Sequence, residues 1–167
     1  MATPVKLHVA VISDVVCPWC YIGKKNLEKA ASQVDEVELR IDWRPYQLDP
    51  TIPAGGIDRR EYMLAKFGSE ERLRSIHARV EEAGRAAGID FNFGAIKVAA
   101  NTLDAHRLIR WAGGVDPETQ VAVVSRLFEL NFLEGADIGD RYVLSAVAEG
   151  AGMDGAIVRE LLAGDRD

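Results

Sequence analysis

Two thiols at close spacing are the residues of this sequence best suited to chemistry. Cys17 and Cys20 enclose a Pro-Trp dipeptide in the motif CPWC, and they are the only cysteines of the 167 residues. A pair with this spacing could contribute half of a metal site, form a structural crosslink, or open and close as a redox pair. The other residues of the chain must discriminate among the three.

A metal site has few additional ligands to draw on. Zinc takes four ligands, and beyond the two cysteines the chain offers only His8, His77 and His106. No two of these histidines have the roughly three-to-five-residue spacing of paired zinc ligands. We therefore predict that no metal is bound.

The composition argues against several classes of partner. The chain is 48% hydrophobic and 28% charged with a formal net charge of −6, and no basic run exceeds a pair such as Lys24-Lys25. These features disfavour nucleic acid and anionic membranes as partners. The opening MATPVKLHVAVISD lacks the basic leader and cleavage site of a signal peptide, and no window reaches the ~18 apolar residues of a spanning helix. We predict a cytoplasmic protein, where structural disulfides rarely persist.

The elements around the motif form a strand–helix–strand unit. Apolar and polar residues alternate over 5–12 and again over 36–44, with helical periodicity up to about residue 34 between them. Such a unit normally contains two parallel strands joined by a right-handed crossover. Cys17 follows the first strand and precedes the helix, so we expect the helix N-terminus to stabilise its thiolate and lower its pKa.

The helical projection separates the two cysteines. Cys20 shares a face with Leu27, Ala31 and Val34, which predicts a buried Cys20 and an exposed Cys17. This arrangement is typical of an attacking and a resolving sulfur. Pro18 fixes the first helical turn and Trp19 projects outward as an apolar contact.

After Gly56 the sequence is helical to its end. Helix starts are predicted at Asp58, which has a capping-box partner in Glu61, and then at Asn101, Asp116, Asp140 and Asp154. The segment 121–133 is apolar on nearly every side and should be the most buried helix. We divide the chain into a unit 1–56 that carries the cysteines and a helical unit 57–167.

Longer stretches resemble a known family. The segment SDVVCPWCYIGKKNLEKA resembles the active-site segment of the DsbA-like thioredoxin family in its cytosolic FrnE-like branch, and DWRPYQLDP, GIDRREYMLAKFG and NTLDAHRLIRWA agree. That branch is related to the 2-hydroxychromene-2-carboxylate isomerases and the kappa-class glutathione transferases. The resemblance implies an α/β thioredoxin-like fold with a large helical domain inserted after the second strand. It also implies that Cys17 is the nucleophile, Cys20 the resolving thiol, and Pro18 and Trp19 the tuning dipeptide.

The chain departs from the family pattern at its end. The family continues into two more strands and a helix, with a cis-proline segment against the cysteines, and none of the six prolines here occupies such a segment. We therefore expect a C-terminal truncation, or completion by a partner chain or by exchange in a homodimer. Trp43 and Val9 would then lack part of their cover.

Five other residues are secondary candidates. The resemblance places His106 near the cleft between the two units, where a hydrogen-bonded interdomain histidine is favoured over a catalytic base. Asn101 lines the active site or only caps its helix. Asp14 relays protons, raises the thiol pKa or merely ends its strand. His77 is interpreted as a packing residue, and Lys24 either assists the thiolate or is solvated.

The sequence therefore predicts a protein disulfide oxidoreductase or isomerase. Cys17 and Cys20 would exchange disulfides with protein or small-thiol substrates, with no cofactor beyond the redox-active disulfide and with glutathione as a candidate co-substrate. Two alternatives stay open: a glutathione-dependent isomerase or transferase, whose isomerase members usually carry serine where Cys17 stands, and a non-catalytic redox-sensing module.

Overall fold

The structure is a computed structural model that describes residues 5–34 and 36–165. Its strands are β1 (Val5–Ser13), β2 (Val37–Pro45), β3 (Ile57–Asp58) and β4 (Val98–Ala99). Its helices are α1 (Pro18–Ala31), α2 (Arg59–Phe67), α3 (Glu70–Ala86), α4 (Leu103–Val115), α5 (Pro117–Glu129), α6 (Arg141–Gly150) and α7 (Gly155–Leu162). A 3₁₀ turn covers Phe93–Ala95 and a π-helix covers Leu130–Glu134.

The predicted strand–helix–strand unit is confirmed. Strands β1 and β2 pair in parallel, with Val5 opposite Val37 and Ser13 opposite Pro45, and α1 connects them. The parallel arrangement brings the carboxyl ends of both strands to the same edge, where the cysteine motif begins.

The cover of β2 differs from the expectation. Trp43 is only 4% exposed, so the prediction that it lacks cover is wrong. The Gln120 side chain from α5 accepts a hydrogen bond from the Trp43 N–H (2.9 Å) and donates one to its carbonyl oxygen (3.2 Å). The aliphatic residues of β1 are less covered, since Val5 and Leu7 are 66% and 49% exposed.

The region after Gly56 is not purely helical, which corrects the sequence prediction. Strands β3 and β4 pair antiparallel, Ile57 opposite Ala99. Gly56 precedes them with φ of 73°, and a Cβ there would meet Val98 Cγ1 at 2.5 Å, so this turn requires glycine. Two-residue strands leave almost no alternation to detect in the sequence.

The predicted helix starts are largely confirmed. The Asp58 and Asp116 carboxylates accept hydrogen bonds from the Glu61 N–H (2.9 Å) and the Thr119 N–H (2.7 Å). Side chains of Asp140 and Asp154 cap α6 and α7 in the same way. These caps satisfy backbone N–H groups that have no partner within the helix.

The hydrophobic core is continuous between the two predicted units. Tyr21 of α1 stacks on Phe128 of α5 with ring centres 5.0 Å apart, and Trp43 meets the same ring edge-on at 6.5 Å. Phe128 is fully buried, in line with the predicted burial of 121–133. The division into 1–56 and 57–167 stays a prediction; residues 1–4, 35, 166 and 167 lie outside the described residues. In the part of the chain described, no helix is both long and apolar enough to cross a membrane.

Candidate active site

The cysteine motif lies at the start of α1, as predicted. Cys17 is the N-cap residue and Pro18 the first helical residue, where its missing N–H costs no hydrogen bond. The Cys17 N–H donates to the Asp14 carbonyl (3.0 Å), and the Cys17 carbonyl accepts from the Cys20 N–H (3.1 Å). These bonds fix the turn that joins β1 to α1.

The two sulfurs differ in what they face rather than in how much they are buried. Both cysteines are half-buried free thiols, so the prediction of an exposed Cys17 and a buried Cys20 is wrong as stated. Cys17 nevertheless lines a cavity together with Pro18 and Trp19, whereas Cys20 packs against the hydrophobic core. Trp19 is 55% exposed and projects outward, as expected.

The two thiols share a hydrogen bond that sets their acidity. The Cys17 S–H donates to the Cys20 sulfur, which lowers the pKa of Cys20 to about 6. The same hydrogen bond, together with burial, raises the pKa of Cys17. Hydrogen bonds from the N–H groups of Cys20 and Trp19 lower the pKa of Cys17, as predicted, but their effect is smaller than the combined effect of the thiol–thiol hydrogen bond and burial. The prediction of a net lowered pKa for Cys17 is therefore wrong for the dithiol form, although the contribution of the helix start has the predicted direction.

Asp14 lies beneath the motif and is itself held on two sides. One carboxylate oxygen is 3.1 Å from His106 Nε2, and the other accepts a hydrogen bond from the Leu48 N–H (2.8 Å). Asp14 is 2% exposed, and its negative charge raises the pKa of Cys20, one of the effects predicted for it. A hydrogen bond from the Asp14 backbone N–H and one from the Ser13 hydroxyl act in the opposite direction and lower the pKa of Cys20.

His106 and Asn101 lie outside the cavity lining. His106 is 4% exposed and contacts Asp14, which matches the favoured interpretation of a hydrogen-bonded interdomain histidine. Thr102 rather than Asn101 is the N-cap of α4, but the Asn101 Oδ1 accepts from the Leu103 N–H (2.9 Å) and its amide donates to the Ile52 carbonyl. Asn101 thus joins the start of α4 to the loop after β2.

Lys24 is buried rather than solvated. It is 4% exposed and forms an ion pair with Glu28 one turn further along α1. The carboxylate is the partner that the structure gives this ammonium group, and assistance to the thiolate stays a prediction.

The cavity beside Cys17 has a volume of about 240 Å³ and a mainly apolar wall. Helices α2 and α3 contribute Arg59, Met63 and His77, and the 3₁₀ turn contributes Phe93. The π-helix turns Asn131, which is 4% exposed, toward the same space. Sequence reasoning assigned His77 to packing and did not single out Arg59 or Asn131.

Two of these residues were hard to find from the sequence for different reasons. Arg59 belongs to a helix start whose aspartate cap was recognised, but nothing in that motif shows which side chain turns inward. A π-helix inserts an extra residue into a turn and leaves no periodic signal, although such segments often occur at functional sites. Among residues 5–34 and 36–165, no group of three or more His, Cys, Asp or Glu side chains is arranged to hold a metal ion.

A parallel β–α–β unit with a CxxC motif at the start of its helix, joined to a helical block, defines a thioredoxin-fold protein with a dithiol site. The DsbA-like thioredoxin domain family matches the chain over residues 8–167. The chain belongs to this family, and its fold is the DsbA-like thioredoxin fold.

Individual relatives agree with this assignment. The chain is 26% identical over 156 residues to the uncharacterized protein YwbO of Bacillus subtilis, covering 93% of this chain and 72% of YwbO. A probable DsbA oxidoreductase from Streptomyces coelicolor is 28% identical with a TM-score of 0.81, covering 94% of this chain and 68% of that one. A 2-hydroxychromene-2-carboxylate isomerase shares the fold at 17% identity and a TM-score of 0.65, covering 95% and 72% of the two chains. The family supports an enzymatic role of the oxidoreductase type.

Proposed function

We propose that the protein is a thiol–disulfide oxidoreductase in which Cys17 attacks and Cys20 resolves. One observation carries this proposal: both free thiols lie at the start of α1, and of the two only Cys17 lines the cavity. A substrate disulfide can therefore approach Cys17 while Cys20 stays against the core. The similarity to a probable DsbA oxidoreductase supports the same reaction.

The shared proton reconciles this assignment with the acidity of the pair. Two strongly coupled thiols lose their first proton as a unit, so the position of the remaining proton can change without a change in pH. When that proton moves toward Cys20, the charge passes to Cys17, where the N–H groups of Trp19 and Cys20 stabilise it. The pair can thus supply a Cys17 thiolate near neutral pH.

The proposed reaction proceeds in two exchanges. The Cys17 thiolate attacks one sulfur of a substrate disulfide, forms a mixed disulfide and releases the first substrate thiolate. The Cys20 thiolate then attacks the Cys17 sulfur, the Cys17–Cys20 disulfide forms, and the second substrate thiolate leaves. The substrate gains two electrons and the protein loses two; the reverse sequence oxidises a dithiol substrate.

Insulin reduction with dithiothreitol as electron donor tests the proposal. The wild-type protein should accelerate precipitation of the insulin B chain, and Cys17→Ser should abolish the acceleration. Cys20→Ser should instead accumulate a mixed disulfide at Cys17, visible by mass spectrometry. Unchanged activity in Cys17→Ser would refute the assignment, and turnover of an aromatic glutathione substrate without disulfide exchange would favour the isomerase alternative.

A cytoplasmic location, protein or small-thiol partners, a homodimer and glutathione as co-substrate stay predictions. The cavity is compatible with a small thiol, because its apolar wall adjoins the reactive sulfur.

A further inference from the structure

The cavity beside Cys17 contains a half-buried cation, Arg59, that has no counter-ion in the described part of the chain. Of the side chains that line it, Asp14 and Asp49 carry formal negative charge and Arg59 and Lys66 carry positive charge. Three of these four have partners within the protein. Arg59 has no hydrogen-bonding or acidic partner for its side chain among residues 5–34 and 36–165, and withdrawing even a half-buried guanidinium from water without an anion is unfavourable.

The partners of the other charged groups are well defined. Asp14 binds His106 and the Leu48 N–H. The Asp49 carboxylate accepts hydrogen bonds from the Thr51 N–H (3.0 Å), the Thr51 hydroxyl (2.5 Å) and the Tyr62 hydroxyl (3.0 Å). The Lys66 ammonium donates to the Tyr62 hydroxyl (3.2 Å). Neither acid forms a hydrogen bond or an ion pair with Arg59 in the part of the chain that the structure describes.

Arg59 is positioned by an aromatic ring rather than by an acid. Its Cζ lies 5.7 Å from the centre of the Phe93 ring, and its guanidinium has no hydrogen bond or ion pair with any residue in 5–34 or 36–165. Burial lowers the pKa of Arg59, because partial loss of contact with water destabilises the charged guanidinium. Stacking on an aromatic face holds a guanidinium while leaving its N–H groups free for a ligand.

His77 presents a second unpartnered polar atom at the same ring. Its imidazole stacks on Phe93 with centres 4.3 Å apart, and its buried Nε2 has no hydrogen-bond partner within the described part of the chain. Burial and the nearby Arg59 charge lower the pKa of His77. A neutral imidazole can still donate one N–H, so Nε2 and Arg59 together offer donors suited to an anion.

We propose that the cavity binds a small thiol or disulfide that carries a carboxylate, which Arg59 and His77 receive while its sulfur meets Cys17. The apolar wall and the volume of about 240 Å³ suit a small molecule, since this volume is just below the ~300 Å³ at the lower end of typical ligand pockets. The protein as a whole carries a net charge of −6, so general electrostatic attraction does not explain a preference for anions. This inference rests on the proposed function.

Two small disulfides of similar size and different charge test the inference. The reduced protein is reacted with dithiodipropionate, a dicarboxylate, and with neutral hydroxyethyl disulfide, and each rate is divided by that of dithiothreitol with the same probe. The wild-type protein should prefer the dicarboxylate by about tenfold or more, the range expected of a charge-assisted contact in a partly desolvated site. Arg59→Met should lose that preference, and Arg59→Lys should keep part of it.

A matched control is available one residue along the chain. Arg60 is exposed and pairs with Glu70, so Arg60→Met removes the same charge from the same helix outside the cavity. Its preference should equal that of the wild type. His77→Gln should reduce the preference less than Arg59→Met, because it removes a neutral donor.

The outcomes separate this inference from the proposed function. Equal normalised rates for both probes, or equal losses in Arg59→Met and Arg60→Met, would overturn the anion site even if disulfide exchange is fast. If no disulfide reacts, the proposed function fails, and calorimetry with the unreactive sulfide thiodipropionate then tests the site alone. Binding to the wild type that is lost in Arg59→Met would support the site, and no binding to the wild type would overturn it. If only peptide disulfides with a free C-terminal carboxylate react preferentially, the cavity recognises the ends of polypeptide chains, and the small-molecule assignment is overturned.

Discussion

Replacing Cys17 by alanine should remove most of the thiolate that the reduced protein holds at neutral pH. The Cys17 S–H is the largest cause of the lowered pKa of Cys20, which changes from 9.0 to about 6. At pH 7 a thiol of pKa about 6 is roughly nine-tenths ionised, and one of pKa 9.0 is about one per cent ionised. Because the Asp14 N–H and the Ser13 hydroxyl remain as hydrogen-bond donors of smaller effect, we expect a loss of at least about tenfold.

Ultraviolet absorbance of the thiolate, followed from pH ~4 to ~10 in fully reduced protein, measures this change. In Cys17→Ala the only remaining thiol is Cys20, so the titration midpoint is the pKa of Cys20. Cys17→Ser retains a hydroxyl donor and should keep a lowered midpoint, and Ser13→Ala should raise it only slightly. A midpoint that stays near 6 in Cys17→Ala would refute the shared hydrogen bond as the cause.

Three further predictions concern packing and charge. A Cβ at Gly84 would meet an aromatic ring at 2.5 Å, so Gly84→Ala should lower the free energy of unfolding, measured by urea titration, by about 1–3 kcal/mol. Gly23 has no atom within 4 Å of such a Cβ, so Gly23→Ala should raise the free energy of unfolding by up to about 1 kcal/mol. Gln120→Leu leaves the Trp43 N–H and carbonyl of β2 without their side-chain partner and should lower the free energy of unfolding by about 2 kcal/mol or more. The same substitution at the exposed Gln33 should lower it by about 0.5 kcal/mol or less, and equal effects would contradict this account. Because the Asp14 charge raises the pKa of Cys20, Asp14→Asn should move the thiolate midpoint below that of the wild type, and a rise would count against the electrostatic account.

Local patterns predicted the elements that position the cysteines. Alternation over 5–12 and 36–44 fixed two strands, and the order strand–helix–strand implied their parallel pairing. Aspartate caps such as Asp58 and Asp116 marked helix starts because a carboxylate three residues before an N–H is a local feature. The site's position followed from these elements.

Properties that depend on contacts between distant residues were not predictable in this way. The acidity of Cys17 depends on which sulfur donates the shared proton, and helix-terminus reasoning considered each thiol alone. Gln120 lies 77 residues from Trp43 along the chain, yet it supplies the cover that β2 was expected to lack. The orientation of Arg59 and His77 toward Phe93 likewise arises only when α2, α3 and the 3₁₀ turn assemble.

The order in which the two thiols are alkylated tests the central assignment most directly. Reduced protein is treated with limiting iodoacetamide at several pH values, and peptide mass spectrometry follows Cys17 and Cys20 separately. We predict that Cys17 is modified first, because it faces the cavity, and that its rate rises with a midpoint near pH 6, because the pair ionises as a unit. Preferential labelling of Cys20, or a Cys17 rate that rises only near pH ~9, would contradict the account.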